Sequence, residues 1–302
     1  MNTETDINIR EFDPKTVPFN SVMLMLGMRN TGKSTCIKDL LYHHRNMPKC
    51  TVMSGTEDAS PFFKKFMPLS FIKTNIEESV IIETIKRQSY IKKAKQVFEA
   101  RGDKEKASKI DTRAALILDD CVGKNSSLFR TNAVKEMFMN GRHFDLMFLI
   151  SLQYATSIHP DLRTNINYVF IFSEPRLTER KRIWNNFGTL IPDFDLFCKL
   201  MDLYTTNYGC LVIQIGKSIN ISDNIFRYRG NLNTSNFKLG DQVYWKKDEI
   251  DRSKIAAREL EQAEKVFEAL NLADMSKLDA MGGGGGNTKK KGAYSNVRIN
   301  SV

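Results

Sequence analysis

Residues 22–36 read Val-Met-Leu-Met-Leu-Gly-Met-Arg-Asn-Thr-Gly-Lys-Ser-Thr-Cys, an apolar run that leads directly into the pattern Gly27-x-x-x-x-Gly32-Lys33-Ser34. This order is typical of a phosphate-binding loop between a buried strand and a helix. The two glycines allow the backbone to turn so that its N–H groups face a triphosphate, and the helix start adds the positive end of its dipole. The stretch therefore predicts a nucleoside triphosphate site.

The side chains of this loop have separate expected roles. Lys33 can reach the β- and γ-phosphates, and the Ser34 hydroxyl can bind Mg²⁺. A surface glycine-rich turn is the simpler alternative, but it explains neither the apolar run before the motif nor the helix-compatible residues after it. The predicted nucleotide-binding residues are Gly27, Met28, Arg29, Asn30, Thr31, Gly32, Lys33, Ser34 and Thr35.

Length and composition narrow the class of protein. At 302 residues the chain has room for one large domain or two small ones, and its net charge of +10 is compatible with a polyanionic partner. Its 5 cysteines have no C-x-x-C or Cys/His ligand spacing, which indicates reduced core thiols. The N-terminus has no secretory signal, and apolar runs such as 146–152 are too short for a transmembrane segment. We therefore expect a soluble intracellular protein.

Apolar strands alternate with helices through most of the chain. Uninterrupted apolar strands in such an alternation indicate a parallel sheet covered by helices on both faces. Strands are predicted at 22–26, 51–54, 71–74, 114–118, 146–152, 168–172 and 210–215, and helices at 33–45, 77–101, 129–140, 181–187 and 194–203.

Composition divides the chain into four predicted segments. Pro14 and Pro18 discourage regular structure near the N-terminus. Apolar residues spaced alternately four and three apart predict a helix over 254–272, which we expect to pack against the chain's own body. The segments are an N-terminal arm (1–20), a P-loop domain (21–234), a helical extension (235–281) and a glycine-rich, basic, flexible tail (282–302).

A second motif follows the strand predicted at 114–118. Residues 116–120 read Leu-Ile-Leu-Asp-Asp, the form of a Walker B strand, and we assign Asp119 to the metal and Asp120 to the attacking water. Most proteins with an adjacent acid use Glu there, whereas the side chain of Asp120 is one methylene shorter. A strand ending in a polar turn is the alternative, which the phosphate loop upstream disfavours.

The next strand, 146–152, ends in Gln153. An amide at this place can sense the γ-phosphate or orient the water. The position of Gln153 also implies the strand order of RecA-like motors, with one strand inserted between the phosphate loop and the neighbours of the Walker B strand. Small-molecule kinases have a simpler order.

Two arginines precede predicted strands. Arg163 stands before the strand at 168–172, and Arg142 stands before the strand at 146–152. Either guanidinium could act as an arginine finger at the γ-phosphate of a neighbouring subunit, and we favour Arg163. A surface arginine paired with an acid is the alternative for each.

The order of the motifs resembles that of a known family. After the phosphate loop come Ser54-Gly55-Thr56-Glu57, the strand 116–120, Asn140-Gly141-Arg142-His143, Ser151-Leu152-Gln153-Tyr154 and Asp161-Leu162-Arg163-Thr164-Asn165. This series is similar to the genome-packaging ATPases of large double-stranded DNA viruses, the poxvirus-type branch of the FtsK–HerA superfamily. The Gly-Arg-His and Ser-Leu-Gln-Tyr segments carry most of the specificity.

The resemblance implies an α/β fold, a RecA-like ASCE P-loop ATPase with a parallel central sheet flanked by helices, plus a helical C-terminal extension and flexible tail. It implies ATP and Mg²⁺ as cofactors and a homo-oligomeric ring that moves double-stranded DNA without reading its sequence. The implied location is the virion and the viral assembly site in the host cytoplasm, with capsid or inner-membrane components of the virion as further partners.

The resemblance also bears on individual residues. It supports Lys33, Asp120, Gln153, Arg163 and Arg142 as catalytic residues. Ser34 and Asp119 remain the expected metal ligands. The basic segments 86–109 and 289–291 are the expected contacts to DNA phosphates, although a charge-rich helix is more often a solvated face. The family offers no counterpart for residues 235–302.

Three other functions remain open at the level of sequence. A helicase or DNA-pumping ATPase of DNA repair or segregation would share the fold and the site but move a different cargo. A P-loop small-molecule kinase would be a monomer that turns over ATP only with an acceptor. In a nucleotide-gated scaffold, Asp120 would be a poor catalyst and ATP would only assemble a capsid component.

Overall fold

The structure is a computed structural model that describes residues 9–121, 127–216, 218, 220–231, 233–234 and 236–271. It separates into two units, residues 1–248 and 249–302, and each is described by itself. The predicted flexible tail, the end of the predicted extension and the first eight residues of the predicted arm lie outside the described residues.

Within the described residues, one sheet of nine strands forms the centre of the first unit. The strands are β1 (Arg10–Glu11), β2 (Val22–Leu26), β3 (Lys49–Ser54), β4 (Ile72–Lys73), β5 (Ala114–Asp119), β6 (Leu146–Leu152), β7 (Tyr168–Ile171), β8 (Gly209–Gln214) and β9 (Ile225–Arg229). The helices are α1 (Lys33–His43), α2 (Glu78–Ala100), α3 (Lys104–Ser108), α4 (Asn132–Asn140), α5 (Pro160–Arg163), α6 (Leu177–Ile183), α7 (Phe194–Tyr204), α8 (Ile221–Asn224) and α9 (Gln242–Asn271).

The strand order is β1-β9-β8-β7-β2-β6-β5-β3-β4. Strand β6 lies between β2, which leads into the phosphate loop, and β5, which ends in Asp119. Leu26 at the end of β2 is level with Leu152 at the end of β6, and Ile150 of β6 is level with Leu118 of β5. The carboxyl ends of these three strands therefore meet at one edge, and the inserted strand confirms the RecA-like order.

Both faces of the sheet are covered, because alternate side chains of a strand point to opposite faces. Leu24 of β2 belongs to a core cluster with Ile81 of α2 and Val134 of α4. Met25 of β2 belongs to a second cluster with Ile37 of α1. This two-sided burial is the reason that the central strands read as uninterrupted apolar runs.

The sheet is mixed, with mostly parallel strands. Strand β8 runs antiparallel to its neighbours β7 and β9, whereas the other described pairings are parallel. Strand β9 is not predicted from the sequence. In this strand the buried Ile225 and Tyr228 are mixed with the exposed Arg227 and Arg229, so it has no apolar run of the kind that marks the central strands.

The chain before β2 is part of the first unit's sheet and core, which differs from the irregular arm predicted for residues 1–20. Strand β1 pairs with β9, and Pro14 and Pro18 follow β1 instead of interrupting it. The Phe12 ring is buried and packs edge-on against four aromatic rings of the sheet. These rings belong to Tyr168, Phe170, Phe226 and Tyr228.

Helix boundaries differ from the sequence prediction where side chains outside the apolar pattern fix them. Helix α4 begins after Thr131, whose hydroxyl accepts a hydrogen bond from the Val134 N–H as an N-cap. Helix α9 begins twelve residues before the predicted 254, where the Trp245 indole N–H donates to the Leu239 carbonyl at 3.1 Å. Helix α6 also begins early and continues into a π-helical turn at Trp184–Gly188.

In the second unit, the described residues 249–271 continue helix α9. Glu261 and Lys265 form an ion pair of 2.6 Å one helical turn apart.

Among the helices that the structure describes, none combines the length and the apolar character needed to cross a membrane.

One buried carboxylate organises the segment that follows β3. Glu57 is 4% exposed, and its two oxygens accept hydrogen bonds of 2.9–3.1 Å from the backbone N–H groups of Phe62, Phe63 and Lys64. The segment leaves β3 at Ser54, which is level with Asp119 of β5. Glu57 therefore shapes the chain next to the end of the Walker B strand.

We expect Glu57→Gln to lower the free energy of unfolding by about 1–3 kcal/mol, because the amide replaces one acceptor oxygen with a donor that faces N–H groups. Chemical denaturation of the variant would measure this loss. Glu83→Gln, at an exposed position of α2, is the matched control and should unfold like the parent protein. Equal stability of the two variants would contradict the role given to Glu57.

Candidate nucleotide-binding site

The phosphate loop connects β2 to α1 at the carboxyl edge of the sheet. The Gly27 N–H donates to the Leu152 carbonyl at 3.1 Å, and a Cβ on Gly27 would stand 2.6 Å from the Cβ of Phe172. Gly32 has a φ of 102°, in the left-handed region that favours glycine. Both glycines of the motif are therefore required by the backbone, one by close packing and one by its conformation.

Lys33 is held against the loop. Its Nζ donates hydrogen bonds to the Gly27 carbonyl at 2.9 Å and to the Met28 carbonyl at 2.6 Å. Burial lowers the pKa of the Lys33 ammonium, while the nearby Asp120 and Asp119 carboxylates act in the opposite direction. The ammonium is thus a partly desolvated charge that a phosphate oxygen can attract away from two neutral carbonyls.

Ser34 and Asp119 bring two oxygens together beside the loop. The Ser34 hydroxyl donates to Oδ2 of Asp119 across 3.5 Å, although 85 residues separate them in the chain. The pKa of Asp119 is raised to about 6, chiefly by burial and also by the Asp120 charge, while Ser151, Lys33 and Ser34 act in the opposite direction. A hydroxyl and a buried carboxylate that gains from a nearby positive charge are the donor set that suits Mg²⁺.

Asp120 has a conformation and contacts unlike those of Asp119. Its φ is 49°, in the left-handed region. One carboxylate oxygen accepts a 2.6 Å hydrogen bond from the Gln153 amide, and the other lies 3.6 Å from Nε of Arg29. The structure therefore brings together Asp120, Gln153 and the loop residue Arg29, whose guanidinium is otherwise largely exposed.

Arg163 lies away from the phosphate loop of its own chain. It ends α5, just before β7 begins at the opposite, amino edge of the sheet. Its Nε donates to the Ile158 carbonyl at 3.0 Å, a terminal nitrogen donates to the Asn186 side chain, and the guanidinium lies over the Phe187 ring. Burial lowers the pKa of Arg163.

Arg142 also lies at the amino edge. It precedes β6 and lines a cavity of about 230 Å³ together with Ser21, Asn165 and Asn167. Neither Arg142 nor Arg163 takes part in any hydrogen bond to the phosphate loop that the described residues form. Of the predicted site residues, Asp119, Asp120 and Gln153 therefore lie beside the phosphate loop. The two arginines lie at the opposite ends of the strands.

Sequence reasoning missed Arg176, which follows β7 on the loop's side of the sheet. Its guanidinium makes two 2.8 Å hydrogen bonds to the buried Glu174 carboxylate, which raise the pKa of Arg176, and it lies over the ring of Tyr154, the residue after Gln153. Only its position in the sequence could have pointed to Arg176, because it follows a predicted strand on the same side as Asp120 and Gln153 follow theirs.

Comparison with known proteins finds viral relatives. No family model matches the chain. The uncharacterized protein 088R of Invertebrate iridescent virus 3 is 32% identical over 256 residues, covering 80% of this chain and 92% of that protein. The uncharacterized protein 075L of Invertebrate iridescent virus 6 is 35% identical over 224 residues, covering 71% of this chain and 81% of that protein.

Among solved structures, the genome packaging NTPase B204 from Sulfolobus turreted icosahedral virus 2, in complex with ATP-gammaS, matches with a TM-score of 0.45. It is 17% identical in sequence, and the match covers 72% of this chain and 100% of that chain.

We expect Asp119→Asn to stabilise the protein measured without nucleotide or Mg²⁺. The pKa of Asp119 is raised from 3.8 to about 6, so the parent protein loses stability as the pH rises through this window. The advantage of the neutral asparagine should grow over the same window and level off above it, at up to about 3 kcal/mol.

Thermal and chemical unfolding between about pH 4 and pH 8 would measure this advantage within and above the window in which Asp119 titrates. Asp58→Asn, at an exposed position, is the control and should show no comparable change with pH. A stability difference for Asp119→Asn that stays constant across the range would contradict the burial of a charge at this position.

Proposed function

The chain belongs to the family of large-DNA-virus proteins that includes 088R and 075L of the iridescent viruses, and from this premise we propose that it is an ATP-hydrolysing motor that moves double-stranded DNA. We further propose that its cargo is a viral genome, packaged into the capsid. The observation that carries the hydrolytic part is the meeting of Ser34, Asp119, Asp120 and Gln153 around one phosphate loop.

In this proposal the loop residues 27–35 bind the triphosphate through backbone N–H groups, and Lys33 contacts the β- and γ-phosphates. Ser34 and Asp119 hold Mg²⁺, which would neutralise charge on the phosphate oxygens when bound. Asp120 accepts a proton from the attacking water, and Gln153 aligns that water or senses the γ-phosphate.

The contacts of Asp120 suggest how hydrolysis depends on the triphosphate. Both oxygens of Asp120 face donors, the Gln153 amide and the Arg29 guanidinium. A γ-phosphate offers these same donors a more highly charged acceptor. We propose that the triphosphate draws Arg29 and Gln153 toward itself, which frees Asp120 to act as a base.

We propose that a neighbouring subunit completes the site in a homo-oligomeric ring. Arg163 and Arg142 lie at the amino edge of the sheet, opposite the loop, which supports a role at a neighbour's site and not at the site of their own chain. Arg163 is the better candidate because its side chain is already ordered by Ile158, Asn186 and Phe187. Arg142 is the second candidate.

We propose that lysines contact DNA phosphates without reading sequence. On α2, Lys86 and Lys93 are exposed, whereas Lys92 is bound to the His143 carbonyl and Asp145. Lys106 and Lys109 pair with acids of their own segment, which favours Lys86 and Lys93 as contacts. The basic run 289–291 lies outside the described residues.

The proposed location is the virion and the viral assembly site in the host cytoplasm, with capsid or inner-membrane components as further partners.

Two alternative functions differ in how well the structure supports them. The inserted strand β6 disfavours a simple small-molecule kinase. A DNA-pumping or helicase ATPase of DNA processing would share every feature of the site and differ only in its cargo.

Duplex DNA is expected to stimulate ATP turnover by the full-length chain. Lys33→Ala should reduce turnover to below about 1% of the parent rate, because the β- and γ-phosphates lose the ammonium that contacts them. Asp120→Asn should lower kcat by about 100-fold or more, since the amide cannot accept the proton. Steady-state phosphate release, with and without DNA, measures both effects.

Lys65→Ala, at an exposed lysine outside the loop sequence, is the control and should keep the parent ATPase rate without DNA. Particle mass should be measured under the same conditions. A stable monomer whose turnover ignores DNA would contradict a DNA motor, and turnover that requires a small acceptor would indicate a kinase.

Mixing two inactive variants tests the shared site. Lys33→Ala subunits retain a normal Arg163, and Arg163→Ala subunits retain a normal loop. Mixed rings should therefore regain part of the ATPase rate, because some interfaces combine an intact loop with an intact arginine. Mixtures no more active than the separate variants would leave Arg163 with only the structural role of its contacts to Ile158 and Asn186.

A further inference from the structure

A turn in an uncommon conformation precedes β8. Asn207 and Tyr208 have φ values of 49° and 63°, two consecutive non-glycine residues in the left-handed region. Such residues persist where the surrounding structure enforces them, and they cluster at ligand sites. Gly209 completes the turn, and a Cβ at this position would stand 2.4 Å from the Tyr204 carbonyl oxygen. The turn is therefore fixed by close packing against the end of α7.

This turn lies directly against the phosphate loop. A Cβ on Gly32 would stand 3.1 Å from the Cβ of Tyr208 and 3.4 Å from its carbonyl oxygen. Nearby, a Cβ on Gly230 would stand 3.0 Å from the Cα of Cys36 in the first turn of α1. The start of β8 and the end of β9 thus adjoin the segment that receives the phosphates.

The antiparallel direction of β8 puts Tyr208 at this edge. Strands β7 and β2 end here, and β8 begins here, because Leu211 is level with Ile171. Strands β7 and β8 lie on one side of β2, and β6 and β5 lie on the other. Asp119 ends β5, Asp120 follows it and Gln153 follows β6, so the γ-phosphate and its metal ion would lie on this second side. Since the γ-phosphate is at one end of the ligand, the nucleoside at the other end would lie on the side of β7 and β8.

Tyr208 offers an aromatic surface on that side. The residue is 59% exposed, although its Cβ packs against the loop. An aromatic ring stacks on any nucleobase, because each base has a π-face, and a purine offers the larger contact area. The backbone of Tyr208 is fixed by its neighbours, so little conformational freedom is lost when a base stacks on the ring.

We propose that Tyr208 is the base-stacking residue of this nucleotide site, with the purine ring of a nucleoside triphosphate as its ligand. This proposal rests on the proposed binding of a triphosphate by the loop. The phosphates supply affinity through Lys33 and the loop backbone, and Tyr208 supplies the part of the affinity that depends on the base. An intersubunit contact is the competing use of an exposed tyrosine at this place.

The test compares two ligands by calorimetry on the full-length chain, Mg²⁺-ATP and Mg²⁺-tripolyphosphate, which lacks the nucleoside. Tyr208→Ala should weaken ATP binding by about 5- to 100-fold, the range expected for loss of one stacked base, and leave tripolyphosphate binding unchanged. Tyr208→Phe keeps the ring and should bind ATP within about twofold of the parent protein. KM for ATP should rise in Tyr208→Ala while kcat stays near the parent value.

Two further variants make each outcome decisive. Tyr208→Gly removes the ring with a residue that accepts a positive φ, so it should weaken ATP binding as Tyr208→Ala does even if alanine disturbs the turn. Tyr90→Ala, at an exposed tyrosine on α2, should bind both ligands normally. Unchanged ATP affinity in Tyr208→Gly, or an equal loss for ATP and tripolyphosphate, would overturn the proposal.

The same data separate this proposal from the proposed function. A parent protein that binds neither ligand would contradict triphosphate binding itself, before any role of Tyr208 arises. A change in particle mass with unchanged ATP affinity in Tyr208→Gly would assign the ring to an intersubunit contact and overturn the base-stacking role.

Discussion

The site depends on the register of three parallel strands. Strand β6 is hydrogen-bonded to β2 on one side and to β5 on the other, which makes the ends of all three strands level. Gln153 can then reach Asp120, and Ser34 can reach Asp119. Because side chains alternate along a strand, a slip of one residue would turn each buried apolar set to the wrong face. Core packing on both faces therefore fixes the distances within the site.

The electrostatics of the site oppose its own folding. Burial raises the pKa of Asp119 and lowers the pKa of Lys33, so each charged form is less favourable than it would be in water. Lys33 is satisfied by two neutral carbonyls, which are weaker partners than an anion. An anionic ligand with its cation would relieve both groups, and folding stability would then rise with ligand concentration.

The central part of the fold and of the site could be predicted from the sequence because it depends on local patterns. The apolar runs at 22–26, 114–118 and 146–152 mark strands buried on both faces, and the motifs begin where these runs end. Tyr208 carries no such signal, since its place depends on the direction of β8 and on a contact with Gly32 far away in the chain. The structural role of Glu57 also could not be predicted from a local pattern, because its three backbone partners come together only after the segment has folded.

The separation of Arg163 from the phosphate loop along the strand direction has a geometric consequence. If this arginine serves a neighbouring site, the amino edge of one copy must meet the carboxyl edge of the next, so the two contacting surfaces are unlike. In such a contact each added copy leaves the same surface free for the next copy. The series of copies closes into a ring only if the rotation between neighbours divides a full circle. The tilt of that contact alone would decide between a closed assembly and an open helical filament.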